Sequence, residues 1–367
     1  MQVVDVNAHL HTPYSFSAFT DVTQALDLAV KDGVKVVGIN DFYSLDGYAE
    51  WKAKCAERKL FPLFNIEFIS LNSEDQAAGL RVNDPNNPGR TYLSGKGLSF
   101  PVILKGEEAR QLAAVKAESN AQVEKMCGKL NAHLEAVKAG FAIDFKQVER
   151  ELTRGSIRER HLAKALRLAV DARFKGDADK LSFYEAVFGG KALKSDPADI
   201  AAVENEIRGN LLKAGGAAFV PEDPKAFLPM TTVQHIIEAA GGIPTYPFLA
   251  DDAKGHFTDF EEDLQKCADT LKKRGFRSVE FITTRNTTAV LESYAGYLQD
   301  EGFTVTFGSE HNTPALEPIL LRTRDHAEGL SETLRAINYR GACAVAAHQA
   351  GLGTIEEGDA LIQKTIA

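Results

Sequence analysis

What this sequence has little of narrows its class before any motif is considered. Only four cysteines, Cys55, Cys127, Cys267 and Cys343, occur in 367 residues. They are far apart and form no Cys-x-x-Cys pair, which argues against a disulfide framework or a structural zinc knuckle and for reduced thiols. No apolar run approaches the roughly 18 residues that a membrane helix needs. The chain opens without a basic leader and apolar segment, so a cytoplasmic location with no membrane partner is expected. Internal repeats and low-complexity tracts are absent. Nor is there an excess of positive charge: the net value of -9 argues against duplex nucleic acid as the main partner. A small molecule fits better, and a local basic pocket for a phosphate is compatible with that balance.

What the sequence does contain is an α/β rhythm at both ends. Val3 to Thr12 is an apolar, β-branched run ending in His9-Leu10-His11. Alternate residues of a strand share a face, so the two imidazoles point the same way and can hold one divalent cation or serve as a structural pair. A helical stripe follows over Asp21 to Asp32, then a strand from Val34 to Asn40, helical composition from Leu45 to Lys59 and a strand from Phe61 to Leu71. Short connections in this order predict a parallel sheet or β/α barrel, whose ligands gather at the carboxyl ends of the strands. His9, His11, Asp41 and Glu67 stand at such ends.

Residues 72–104 are rich in turn formers and carry Arg90 and Lys96, which reads as a long ordered loop, either functional or merely solvated. From 105 to 230 the β-branched runs vanish and helical stripes recur at 107–139, 156–173 and 197–213, giving a helical insertion. Inside it, Ser156 could cap a helix whose first turn brings Arg158, Arg160 and His161 together, a set suited to an anion or to a solvated helix face. From Thr231 the rhythm resumes: helices at 231–240, 258–274, 288–300 and 325–338, strands at 243–246, 278–283 and 304–307. The last strand leads into Gly308-Ser309-Glu310-His311-Asn312, and an apolar run, Ala342 to Ala347, precedes His348, read as a core residue. The expected architecture is a β/α barrel over 1–104 and 231–367, with 105–230 as a helical lid or substrate lobe.

Taken together, these segments resemble the polymerase and histidinol phosphatase (PHP) family of metal-dependent phosphoesterases. The resemblance covers about 1–71 and 231–313 and implies a distorted seven-stranded β/α barrel of TIM-like form with a large helical insertion. The family's Asp-x-His-x-His-[Thr/Ser] appears as Asn7-Ala8-His9-Leu10-His11-Thr12, and Gly-x-Glu as Asn65-Ile66-Glu67. Elsewhere family ligands are replaced. Gly38-Ile39-Asn40-Asp41-Phe42 carries Phe42 for a histidine, Thr245-Tyr246-Pro247 carries Tyr246, and Gly308-Ser309-Glu310-His311-Asn312 carries Asn312. An acid expected near Ser15-Phe16-Ser17 is also missing. A further segment, Arg160-His161-Leu162-Ala163-Lys164-Ala165-Leu166, is similar to a helical motif found over the site in some family members, with the arginine shifted.

The resemblance implies one divalent ion (Zn, Mn or Fe) rather than three, held by His9, His11, Glu67 and Glu310. It implies a small phosphorylated substrate whose phosphate is met by Arg158, Arg160 or His161, with Arg90 or Lys96 from the long segment. Asp41 would orient a ligand or accept a proton, and His311 and Tyr246 are the candidates for protonating the leaving group. The expected activity is hydrolysis of phosphate esters. The rivals are a degenerate member that binds a ligand or partner without turnover, and a barrel hydrolase acting on C–N bonds.

Overall fold

The computed structural model describes residues 2–367. The first strand, β1 (Val6–Leu10), is followed by α1 (Val22–Lys31), β2 (Val36–Phe42), α2 (Tyr48–Glu57), β3 (Phe61–Leu71), the short α3 (Ser73–Ala77) and β4 (Arg90–Lys96). Five helices come next: α4 (Gly106–Ala136), α5 (Phe145–Leu152), α6 (Glu159–Arg173), α7 (Asp177–Val187) and α8 (Ile200–Ile207). The chain then forms α9 (Met230–Ala239), β5 (Ile243–Phe248), α10 (Leu264–Lys273), β6 (Ser278–Ile282), α11 (Thr288–Asp300), β7 (Thr304–Gly308), α12 (Glu332–Gln349) and α13 (Ile355–Ile366).

The seven strands form one sheet in sequential order. All neighbours are parallel except β4, which runs antiparallel to both β3 and β5. The ends nearly meet, because Leu10 bridges Glu310 and His11 N–H donates to the Glu310 carbonyl at 2.8 Å. The result is a distorted TIM-like barrel of seven strands with helices outside it. On β1 the alternation works as the sequence implies: Val6 and Ala8 pack outward against Tyr339, Ala342 and Ala346 of α12, which leaves the odd-numbered residues for the interior. That packing is close. A Cβ on Gly341 would stand 1.8 Å from the Val305 carbonyl oxygen of β7, so α12 can approach the sheet only with a bare backbone there.

The chain between β4 and β5 builds its own apolar cluster, including Leu130, Leu162, Leu166, Tyr184 and Ile207. Helix α4 joins this cluster to the barrel, since Val115 near its start lies in the barrel core and Val123 further on lies in the second cluster. Arg154 to Glu50 at 2.6 Å and Lys116 to Asp46 at 2.8 Å tie the same region to the barrel's loops.

Three expectations are corrected here. Residues 72–104 are not one long loop but contain α3 and the barrel strand β4. Ser94 and Lys96 face polar partners inside the barrel, so β4 lacks the apolar alternation that marks a strand. The run Ala342 to Ala347 is the second half of α12, buried against the sheet and α13, and not a separate end to the chain. His348, on the opposite side of that helix, is exposed and donates to or accepts from nothing in the core; its Nε2 lies 2.9 Å from the Gly241 carbonyl oxygen.

Candidate metal centre

His9 ends an inward-facing position of β1, His11 follows the strand, and Glu67 projects from β3. All three are buried. His11 Nε2 lies 3.0 Å and His9 Nε2 3.5 Å from Glu67 Oε2, and the two Nε2 atoms are 3.3 Å apart. For an ion bonded tetrahedrally at about 2.0–2.2 Å, neighbouring ligand atoms stand about 3.3–3.6 Å apart. The observed triangle therefore has the size of one face of such a site.

Hydrogen-bond partners assign the imidazole protons. His9 Nδ1 is 3.0 Å from Glu280 Oε2, a carboxylate that can only accept, so the proton lies on Nδ1. Ser15 donates its hydroxyl to Asp41 Oδ1 at 2.6 Å and so accepts from His11 Nδ1 at 3.3 Å. When the imidazoles are neutral, both Nε2 lone pairs are thereby turned inward, an arrangement in which outer groups orient metal-binding histidines. Asp41 is itself fixed by Thr12, whose N–H donates at 2.7 Å and hydroxyl at 2.5 Å. Glu67 Oε2 is buried with the two Nε2 atoms as its close polar neighbours, so with both imidazoles neutral it is left without a donor, which costs free energy unless a cation or a shared proton lies between them. Burial alone would lower the His9 pKa, yet Glu280 and Glu67 raise it to about 9. Glu67 is drawn down to about 2 by the two histidines, against its own burial. Positive charge at the centre is what these atoms favour.

Close packing holds the triangle in place. A Cβ on Gly308 of β7 would lie 2.1 Å from the His9 Cβ, so only glycine lets β7 pass behind His9. On the other side Phe42, where a ligand histidine was expected, stacks on His11 with ring centroids 5.1 Å apart.

A cleft of about 420 Å³ opens over Glu67 and Phe42, between the barrel mouth and the helices inserted after β4. Arg90, Arg158, Arg160, Arg208, Lys213 and Arg285 line it. Most are neutralised: Arg90 by Glu222 at 2.6 Å, Arg208 and Lys213 by Glu159 at 2.8 and 3.4 Å, Arg285 by Glu310 at 2.6 Å. Arg158 and Arg160 form no ion pair among the described residues. Arg158 lies over the Phe42 ring at 4.7 Å and reaches Ser119 Oγ at 3.5 Å, while Arg160 donates to Asn205 at 3.1 Å. Burial, with Arg208 and Arg158 close by, lowers the Arg160 pKa to about 10. An anion would relieve that repulsion.

Several expected roles meet different placements. Glu310 faces the cleft but is bound by Arg285 and by Asn312 at 2.9 Å. It stands outside the cluster of three donors that could hold an ion. Its backbone stays paired with β1 while its side chain is taken by Arg285, and Glu310 and His311 are both in the left-handed region at φ 65° and 57°. His311 has both ring nitrogens engaged at 2.8 Å, by Ser309 and the Glu317 carbonyl. Tyr246 donates to Glu261 at 2.7 Å, away from the cleft. Lys96 lies in the barrel interior against Glu280 at 2.6 Å. Helix α6 starts two residues later than Ser156 predicts, with Arg158 as its N-cap. His161 is consumed by that cap, accepting the Arg158 N–H at 2.9 Å, and burial lowers its pKa to about 3, so it stays neutral. Sequence reasoning missed Glu280 and Ser15. Glu280 had a signal, since it is the one charge in the apolar strand Ser278-Val279-Glu280-Phe281-Ile282.

No protein-family model matches the chain, and no curated protein is similar to it in sequence. Solved structures do share the fold. A provisionally described metal-dependent phosphoesterase from Bifidobacterium adolescentis superposes with a TM-score of 0.56 at 17% identity, over 90% of this chain and 94% of that one. An amidohydrolase from Chromobacterium violaceum, solved with bound sulfate and no metal, gives 0.53 at 18% identity, over 86% of this chain and 93% of that one. Among the described residues no helix is long and apolar enough to cross a membrane.

Proposed function

We propose that the protein is a PHP-type hydrolase of small phosphate esters working with a single divalent ion, Zn, Mn or Fe, on His9, His11 and Glu67. The observation that carries this reading is the 3.0, 3.3 and 3.5 Å triangle of donor atoms beneath a cleft containing two unpaired guanidinium groups. The sequence resemblance to PHP proteins and the fold shared with a described metal-dependent phosphoesterase support it. An ion held there supplies Lewis acidity and a water that ionises near neutral pH.

The chain's own residues do the rest. Arg158 and Arg160 bind the phosphate and neutralise charge as it develops, Arg158 from its platform on Phe42. Asp41 does not reach the cleft and acts as a positioning residue, through Ser15, on His11. Glu310 becomes a ligand only if Arg285 releases it, so the working set is three residues.

One observation favours binding without turnover: His311 and Tyr246, the candidate acids, are both tied into structural hydrogen bonds. The two readings separate experimentally. Metal-free protein is loaded with Zn, Mn or Fe(II), its metal content measured, and phosphomonoesters are screened beside amides. One ion per chain, lost in His9→Ala, with phosphate release abolished in Glu67→Gln, is the expected result. No stoichiometric ion would refute the metal reading; an ion without phosphate release would leave the binding protein; release from amides alone would make it a C–N hydrolase.

A further inference from the structure

Below the three converging donors the barrel holds a second charged unit. Lys96, the last residue of β4, and Glu280, in the middle of β6, are both fully buried, with Nζ 2.6 Å from Oε2. Lys96 also donates to the Ala8 carbonyl and to Asn40 Oδ1, each at 3.2 Å. Glu280 is equally saturated: Oε2 takes Lys96 and His9 Nδ1, and Oε1 takes the Ser94 hydroxyl. Burying such a pair is costly and no more stabilising than apolar packing of the same volume. Its position suggests what it is for.

Glu280 is the carboxylate on the outer side of His9, as Glu67 is on the inner side. Glu280 in turn is held by the Lys96 ammonium, so the carboxylate that anchors His9 is itself anchored. Asn40 extends the same unit: with Oδ1 on Lys96, its Nδ2 lies 3.2 and 2.9 Å from the two ring nitrogens of His9, within hydrogen-bonding distance of Nε2.

We propose that Lys96 is a positioning residue for the metal centre. Through Glu280 it fixes His9 with Nε2 toward His11 and Glu67. This rests on the metal reading above, and the test distinguishes the two.

The full chain, freed of metal, is dialysed against buffered zinc and its zinc content measured, with affinity read by competition with a chelating indicator. Wild type is expected to hold one ion, and Lys96→Met to hold it about 10–100-fold more weakly with an altered cobalt(II) absorption spectrum, because the variant keeps the stem but leaves Glu280, the anchor of His9, unheld. Adding Glu280→Gln to Lys96→Met is expected to cause little further loss, since both act on His9 through the same bond. Wild-type affinity and spectrum in Lys96→Met overturn the proposal and leave the metal reading standing. No ion in wild type overturns both. Should Lys96→Met fail to fold, Glu280→Gln carries the test: zinc affinity and the cobalt(II) absorption spectrum must both change, and wild-type values for both overturn the role given to Lys96 and Glu280.

Discussion

Two glycine-to-alanine substitutions, chemically identical, should move this protein in opposite directions. At Gly308 an added Cβ would stand 2.1 Å from the His9 Cβ, whereas non-bonded carbons rest about 3.5–4.0 Å apart. Strands β1 and β7 would have to separate by about 1.5 Å to restore contact distance. Neither atom is the end of a flexible side chain, so the strain falls on two barrel strands and should cost about 1–3 kcal/mol. The same shift would move His9 Nε2 out of a triangle whose sides are 3.0 to 3.5 Å. Metal sites tolerate only about 0.2 Å of error in ligand distance, so zinc affinity should fall at least as far as for a lost outer-shell partner, about 10–100-fold. At Gly296, inside α11, an added Cβ meets nothing within 4 Å. Gly296→Ala should therefore stabilise by about 0.5–1 kcal/mol through helix propensity alone and leave zinc binding unchanged. Denaturant unfolding and zinc competition on both variants are the assays. Gly308→Ala with wild-type stability and zinc affinity would refute the close packing of β7 behind His9 as the device that sets the triangle.

The remaining predictions concern other parts of the same structure. Asp41→Ala removes the acceptor that orients Ser15 and hence His11 and should weaken zinc binding about 10–100-fold; calorimetric titration giving wild-type affinity would remove Asp41 from the site. Arg158→Met should lower kcat/KM for phosphomonoesters about 10–100-fold, as loss of a charge-assisted hydrogen bond implies, with little change in unfolding free energy because no carboxylate pairs with it. An equal loss against an uncharged ester would contradict that role. Glu261 accepts from Tyr246, Leu249 and Ala250, yet burial raises its pKa to about 7. An unfolded glutamate titrates near about 4.3, so between these values the folded state binds more protons and stability falls as pH rises, by roughly 3 kcal/mol for this group. Glu261→Gln should remove that decline, read as the wild-type minus variant difference in unfolding free energy at about pH 5 and about pH 8; a constant difference would show that Glu261 stays ionised throughout.

The parts of the fold legible in the sequence were those where one rule governs one segment. Phe61–Leu71 and Thr288–Asp300 coincide with their predicted ranges, because a dense apolar run and an amphipathic stripe need no distant partner to be recognised. β4 reads as a loop in the sequence because its polar side chains are satisfied by Glu280, which is 186 residues from Ser94 along the chain. The latter half of α12 escaped because burial on nearly every side erases its stripe. In the site, His9, His11 and Glu67 were visible because their chemistry is local to two strand ends, and Arg158 and Arg160 because they share a helix start.

The sequence by itself determined the barrel rhythm, the inward pairing of His9 with His11, and the poor metal-binding chemistry of the side chains at Phe42, Tyr246 and Asn312. Only the tertiary structure decided which acids are free to act. Glu310, His311, Tyr246 and Lys96 carry side chains suited to catalysis or binding, but Arg285, the Glu317 carbonyl, Glu261 and Glu280 claim them. A side chain's chemistry is written in its identity, whereas its availability depends on which distant donor or acceptor the fold brings within about 3 Å.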